Sequence, residues 1–242
     1  MAAPSARPVT VAFPLRGEWV AVRTPAHRVP SHGTDRFGQR YAFDFVRPDG
    51  RRGLHLRPGS ALRAGLLGGR TRDYYGWGEP VHAAAGGMVV AAVDGVPERE
   101  RVRPLRDALA ALRHARRFDP DRDGVAAVAG NHVIVRGAEA YALYAHLVPG
   151  SLAVAAGDEV RAGQVLGRVG HTGNSTAPHL HFQLMDSDDP HRMAGIPCAF
   201  AAYLVRRGGG WERVERGVPA RAERIRSVAD PDPLGPAAPP PA

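Results

Sequence analysis

The stretch HTGNSTAPHLHFQL (171–184) sets His179 and His181 one residue apart in an apolar run. Side chains alternate faces along a strand, so Leu180, Phe182 and Leu184 turn to a core while His179, His181 and Gln183 share the opposite face. Imidazoles at i and i+2 stand about 7 Å apart along the strand. One can hold a metal while the other handles a proton. A lone histidine is usually a satisfied core or surface residue; a pair inside an apolar strand is harder to dismiss, because an unpaired buried imidazole is costly.

Asp44 poses a similar problem. It lies between Phe43 and Phe45 in YAFDFV, where an ionised carboxylate needs a cation or several donors. The chain has no lysine and that run has no arginine, which leaves a metal ion or, as the structural alternative, a remote arginine. Upstream, His32 lies in SHGTDRF with Asp35 three residues later. His146 ends AYALYAHL, where alternation puts it on the face of Tyr144 and opposite Leu143, Ala145 and Leu147; by itself it reads as a solvated strand-end residue. A catalytic zinc site takes neutral imidazoles and often a carboxylate, and keeps a position for water. His32, Asp44 and His181 supply two nitrogens and one oxygen, with water in the fourth position, its pKa lowered to roughly 7. His179 and His146 then stand outside the ligand set as proton acceptor and transition-state donor.

Such residues need strands to hold them. PVTVAFPLRGEWVAVR (8–23) reads as two strands about a turn at Arg16-Gly17, and RYAFDFV (40–46) as another. EPVHAAAGGMVVAAVDG (79–95) reads as strand, tight Gly86-Gly87 turn, strand. NHVIVRG (131–137), AYALYAHL (140–147), EVRAGQVLGRVG (159–170) and HLHFQLM (179–185) continue the pattern. Leu105, Leu109 and Leu112 recur at helical spacing and predict a helix over 102–117, inserted into the β pattern. Short helices are expected over 60–67 and 197–205, and irregular chain over 24–40 and most of 47–79. The fold class is mainly β, an antiparallel sheet or sandwich of short, glycine-turned strands with one inserted helix. The expected organisation is an N-terminal extension (1–7), one domain (8–205) with a helical insertion at about 97–128, and a C-terminal extension (206–242) that is Pro-rich and disordered from about 229.

Composition narrows the chemistry. All 32 basic residues are arginine, which excludes Schiff-base, P-loop-lysine and biotinyl or lipoyl chemistry. The net charge of +8 would suit a polyanion, but the arginines are scattered and not interleaved with aromatics, so no nucleic-acid partner is expected. A single Cys198 excludes an internal disulfide and a multi-cysteine zinc site. No apolar run is long enough for a membrane span. MAAPSARPVTVAFPLRG lacks the apolar region of a signal peptide, which reads as cytoplasmic, or as extracellular or periplasmic by another export route. DPDRDG (119–124) opens like a calcium loop but has Gly130 where the twelfth-position Glu belongs, so it reads as an acidic turn. His82 and His132 near strand starts stay unassigned, and His171 reads as a satisfied turn residue.

Taken together, AYALYAHL, the run Val-x-x-Gly-Asp-x-Val-x-x-Gly-Gln, Gly-x-Thr-Gly-x-Ser and His-Leu-His-Phe resemble the catalytic core of the lysostaphin-like (LytM-type) zinc endopeptidases, and VHAAAGGMVVAA resembles that family's preceding hairpin. The resemblance covers 79–95 and 131–185, and 12–46 more loosely. It implies one zinc ion and hydrolysis of peptide bonds in peptidoglycan cross-links, or in another peptide. His181 becomes a ligand, His179 the catalytic histidine, and His146 its partner in orienting water or stabilising the oxyanion. The first motif departs from the family's His-x3-Asp: His32 is followed by Asp35 or, much later, by Asp44 in GQRYAFDF. Strand placement favours His32 with Asp44; Asp35 is the alternative. A non-catalytic wall-binding or regulatory module on the same fold is the competing reading, and retention of all three strand histidines argues for the enzyme.

Overall fold

The computed structural model describes residues 7–49, 54, 56–58, 67–117 and 119–230. In chain order its strands are β1 (Val9–Val11), β2 (Glu18–Arg23), β3 (Phe43–Val46), β4 (Gly69–Arg70), β5 (Pro80–His82), β6 (Gly87–Val93) and β7 (Arg101–Val102). Helices Pro104–Arg117, Pro120–Asp123 and Val125–Ala129 follow. The chain then forms β8 (Asn131–Arg136), β9 (Tyr141–Leu147), β10 (Glu159–Val160), β11 (Val165–Arg168), β12 (Leu180–Met185), β13 (Gly195–Ile196), β14 (Cys198–Arg207), β15 (Gly210–Gly217) and β16 (Arg224–Ser227). The principal sheet runs β1-β14-β16-β2-β3-β12-β9-β8-β6-β10, with β13 on β12 and β15 on β14. Two small ladders, β5 with β11 and β4 with β7, complete the mainly β architecture. No helix among the described residues is long and apolar enough to cross a membrane.

Alternation sorts the central strands. Phe43, Phe45, Leu180 and Phe182 are fully buried on one face, with Phe13, Trp19, Tyr144 and Phe200 in the same core. Phe43 stacks on Phe45 at 5.5 Å, and Phe13 meets Phe45 and Phe200 edge-on at 5.2 and 5.3 Å. Each such ring stabilises the fold by roughly 1.5–3 kcal/mol through burial. That gain fixes the register, because a one-residue slip would exchange the two faces. The register places His181 opposite Asp44 on β3 and opposite Ala145 on β9.

Two β-bulges re-aim side chains at the rim of this region. On β9 an extra residue intervenes between Tyr144, paired with Val133, and Leu147, paired with Asn131. His146 sits there with φ of 67°. Simple alternation, which would put His146 beside Tyr144, therefore fails. Tyr144 enters the core and its hydroxyl accepts the Ala84 N–H at 2.7 Å, whereas His146 turns to the face of Leu143 and Ala145. On β2 an extra residue between Ala21 and Arg23 brings Arg23 opposite Asp44.

Other sequence expectations need correction. Residues 197–205 are not helical: 198–205 belong to β14, flanked by β1, β15 and β16, and their Cys198, Phe200, Tyr203 and Val205 side chains fill the core. The segments around Gly86-Gly87 do not pair with each other; β5 pairs with β11, and β6 with β8 and β10. Gly87 is needed for close approach, since a Cβ there would lie 2.2 Å from the Arg136 carbonyl oxygen. Residues 210–217 and 224–227, set apart above as an extension, join the principal sheet, with β16 lying between β14 and β2. The helix expected over 60–67 falls almost wholly outside the described residues, as does the Pro-rich tail from 231 onward.

Candidate metal centre and cleft

His32, Asp44 and His181 offer ligand atoms that all lie within 4.8 Å of one another. Strand pairing delivers two of them, and the loop before the 3-10 segment Arg36–Tyr41 delivers His32. His32 Nε2 lies 3.0 Å from Asp44 Oδ2, and His181 Nδ1 lies 2.9 Å from Asp44 Oδ1. Asp35 is directed elsewhere: it pairs with Arg40 at 2.7 Å on the surface.

The surrounding hydrogen bonds assign the ring tautomers. Gln183 Nε2 donates to the Phe37 carbonyl at 2.6 Å, which turns its Oε1 to His181 Nε2 at 2.8 Å. His181 Nε2 is therefore the N–H, and Nδ1 presents a lone pair to Asp44. Ser31 donates its hydroxyl to Gln39 O at 3.2 Å, so its oxygen accepts from His32 Nδ1 at 3.0 Å. His32 Nε2 then also presents a lone pair, and this buried atom has no hydrogen-bond partner. Two nitrogen lone pairs and a carboxylate thus face one another across about a hydrogen-bond length, an arrangement that only added positive charge relieves. Arg23 Nε reaches Asp44 Oδ2 at 3.4 Å from a half-exposed side chain, but it satisfies neither imidazole. The donor set fits a zinc ion, for which buried N and O ligands with outward-anchored imidazoles are the usual arrangement.

The electrostatics agree. Burial works to raise the Asp44 carboxyl, but the neighbouring His32 and His179 outweigh it and hold Asp44 well below the usual carboxylate range. Burial lowers His32 despite the pull of Asp44, which keeps it neutral as a ligand must be. His179 is buried too, yet Asp44 prevails and raises it. His146 is held well below its ordinary value by burial, with His179 and His181 adding to the effect.

His146 and His179 stand beside this cluster, their ring centroids 4.7 Å apart, with His146 5.9 Å from His181. His146 Nδ1 donates to the Thr172 carbonyl at 2.9 Å, and His179 Nδ1 to the Ala177 carbonyl at 2.7 Å. Both rings therefore turn Nε2 away from the backbone; that of His179 lies 3.4 Å from Asp44 Oδ1. Neutral, each is a proton acceptor at the site; protonated, each is a donor. All five histidine and aspartate candidates line one cleft of about 520 Å³. Its floor is apolar, with Ile134, Leu143 and Met185, and the inserted helices contribute Leu112 and Val128.

Several participants escaped sequence reasoning. Gln183 was placed on the right face without a task; the period-2 spacing His179, His181, Gln183 was the available signal. Gly38 lets the Phe37 carbonyl reach it: at φ of 69°, a Cβ would lie 2.8 Å from Gln183 Nε2 and 2.7 Å from Met185 Cγ. Arg23 required knowledge of a bulge. His171 is satisfied, as expected, but it is also fully buried and bonded through Nδ1 to Ser175 Oγ at 2.9 Å. His132 bonds the Gly130 carbonyl and His82 the Gly163 carbonyl through their Nδ1 atoms.

The fold and the cluster thus describe a β-sheet protein with a His–Asp–His metal-type centre beside two further histidines. Residues 121–193 match peptidase family M23, and this segment is similar to the core of LytM-type peptidases. That segment contains His146, His179 and His181, whereas His32 and Asp44 precede it. Among curated relatives, the glycyl-glycine endopeptidase ALE-1 of Staphylococcus capitis is 47% identical over 57 residues, covering 24% of this chain and 15% of the relative. Lysostaphin of Staphylococcus simulans is 38% identical over 90 residues, covering 33% of this chain and 18% of the relative. The DD-carboxypeptidase/endopeptidase Mpg of Neisseria meningitidis serogroup B is 45% identical over 62 residues, with 25% and 14% covered. The chain thus spans less than a fifth of the length of these relatives. Among solved structures, the catalytic domain of lysostaphin from Staphylococcus simulans aligns over 74% of this chain and 88% of that one, at 20% identity and a TM-score of 0.37.

Proposed function

We propose that this chain is a zinc metalloendopeptidase that hydrolyses peptide bonds, with peptidoglycan cross-links as its substrate. The observation that carries this reading is the convergence of His32 Nε2, His181 Nδ1 and the Asp44 carboxylate, each nitrogen with its proton anchored on the far side of the ring. The names of the ALE-1, lysostaphin and Mpg relatives support a peptidase acting on cell-wall peptide.

His32, Asp44 and His181 hold the ion. Bound there, zinc supplies Lewis-acid chemistry, polarising a carbonyl oxygen and acidifying water. The remaining work falls to the chain. His179, its Nδ1–H held by the Ala177 carbonyl, takes the proton of the attacking water at Nε2 and returns it to the leaving amine. His146, its Nδ1–H held by the Thr172 carbonyl, orients water as an acceptor while neutral. Once a proton from solvent has reached its Nε2, it donates to the developing oxyanion, a contact often worth about 3 kcal/mol. The apolar floor excludes bulk water and strengthens each of these interactions.

The test joins elemental analysis with cleavage of purified peptidoglycan sacculi and of glycine-bridged and D-alanyl-linked peptides. Wild type should bind one zinc ion and release new amino termini. His179→Ala should keep the metal and lose cleavage. Zinc binding without cleavage of any of these substrates would favour the wall-binding module, and failure to bind supplied zinc would remove the basis of the reading.

A further inference from the structure

Beside the candidate centre lies a second polar assembly, built where the helical insertion begins. Glu98 and Arg99 enter the insertion side by side, and both engage the loop that leads into β12. Glu98 Oε1 accepts the His171 backbone N–H at 2.7 Å, while its Oε2 accepts from Trp77 Nε1 at 2.8 Å. Arg99 donates to the Gly173 carbonyl at 3.0 Å and to the Ser175 carbonyl at 2.6 Å. Its Nε also reaches His171 Nε2 at 3.3 Å. Three points of one loop are thus held by two consecutive residues of another.

The hydrogen bonds run in one direction. Arg99 donates to His171 Nε2, so that atom carries a lone pair and the His171 proton sits on Nδ1. Nδ1–H donates to Ser175 Oγ at 2.9 Å. With that lone pair engaged, Ser175 sends its hydroxyl proton to the Ala177 carbonyl at 2.8 Å. His179 Nδ1–H then meets both available acceptors, Ala177 O at 2.7 Å and Ser175 Oγ at 3.1 Å. A neutral His171 is consistent with its burial and with Arg99 beside it, which lower its pKa to about 3. The guanidinium also sits 3.8 Å from Asp107 on helix Pro104–Arg117, so the insertion helix anchors the clamp.

We propose that Arg99 is a positioning residue for His179: by pinning the 171–177 loop it fixes the two acceptors that hold the His179 Nδ1 proton and so aims Nε2 into the cleft. The insertion is then part of the support of the reacting histidine. A single planar cation with donors spread over five positions suits this task, because three acceptors at different angles are served at once. Lysine, with one ammonium, cannot reach all three. The inference rests on the reading of His179 as the proton acceptor, but its geometric half does not.

The experiment has two arms. In the zinc-free protein, long-range 15N–1H spectra should show His179 as the Nδ1–H tautomer with a proton slow to exchange. In Arg99→Ala that proton should exchange at least tenfold faster while the far-UV circular dichroism stays that of the folded protein. In the zinc-loaded protein, Arg99→Ala should lower kcat about 10–100-fold with KM and zinc content unchanged, as expected when a positioning contact is lost. Arg99→Lys should fall between, and Leu105→Ala, on the exposed face of the helix, should match wild type. If Arg99→Ala does not fold, Arg99→Lys carries both arms. Unchanged exchange at His179 together with kcat within twofold of wild type would overturn the proposal. An inactive wild type with a normal His179 proton would instead count against the proposed function and leave the positioning role supported.

Discussion

Among the described residues, two buried clusters join histidine and carboxylate, and they meet the same electrostatic cost in opposite ways. Around Asp107, the protein supplies its own cation: Arg99 Nε lies 3.8 Å away, His171 Nε2 3.7 Å away, and the Arg103 backbone N–H donates at 2.7 Å. Arg99 Nε, Nη1 and Nη2 and the His171 Nδ1–H all find acceptors within the chain. Around Asp44, two imidazoles turn lone pairs toward the carboxylate, and His32 Nε2 has no hydrogen-bond partner. One cluster is complete with protein alone. The other is complete only with positive charge added, and this difference, not histidine content, separates a candidate metal centre from a structural tie.

The largest break in this comparison comes from the two clusters' own side chains. Asp44→Ala and His181→Ala should each abolish stoichiometric zinc by elemental analysis. Cleavage should fall by about three decades or more, because the ion's Lewis-acid contribution is several kcal/mol and each ~1.36 kcal/mol is a factor of ten. Asp107→Ala should leave zinc stoichiometry at one. Equal zinc loss in the Asp44 and Asp107 variants would erase the distinction between the clusters.

The next effect sharpens the account of why the lone pairs converge. Gln183→Leu removes the acceptor that holds the His181 proton on Nε2. Outer hydrogen-bond partners of this kind are typically worth about 10–100-fold in metal affinity. Competition with a chelator of known affinity should show a loss in that range, with the fold intact by circular dichroism. An unchanged affinity would mean that Gln183 does not set the tautomer.

Asp107→Ala has its own readout. It removes a buried acceptor that closes the first turn of helix Pro104–Arg117 and faces Arg99. A hydrogen-bonded charge of this kind, with a partner that is partly solvated, is worth about 2 kcal/mol. Urea unfolding should show a lower midpoint with an unchanged m-value.

How much of this was legible follows from which forces act locally. The strand face of His179, His181 and Gln183 could be read because period-2 alternation is enforced by core burial on the other side. Asp44 could be read because a carboxylate between Phe43 and Phe45 needs explaining in any fold. His146 reached the cleft for a reason alternation could not give, a bulge that places it at φ of 67°. Arg23 likewise arrives through a bulge on β2. The role of 198–207 as a strand depends on pairing with β1, β15 and β16, long-range partners invisible in a helix-compatible run. The link from Glu98 and Arg99 to His171 spans more than seventy residues and involves a loop with no periodic pattern.

A further prediction concerns pH and tests the second cluster on its own. His171 titrates near its ordinary 6.5 in the unfolded chain and at about 3 in the fold, where burial comes first and Arg99 second among the causes. Between those values the unfolded state binds the additional proton, so stability rises with pH across that window and is lost as pH falls from about 6.5 toward 3. The slope from one such group approaches about 1.4 kcal/mol per pH unit. His179 behaves in the opposite sense, since Asp44 raises it: its contribution is present at low pH and is lost as pH rises through its folded value. Measured in zinc-free protein, unfolding free energy against pH should therefore be less steep in His171→Asn than in wild type between about pH 6 and 4, with the two curves running parallel above pH 7. Parallel curves across the whole range would show that His171 accepts a proton in the fold, and the clamp at Arg99 would then have to be drawn with a charged imidazole at its centre.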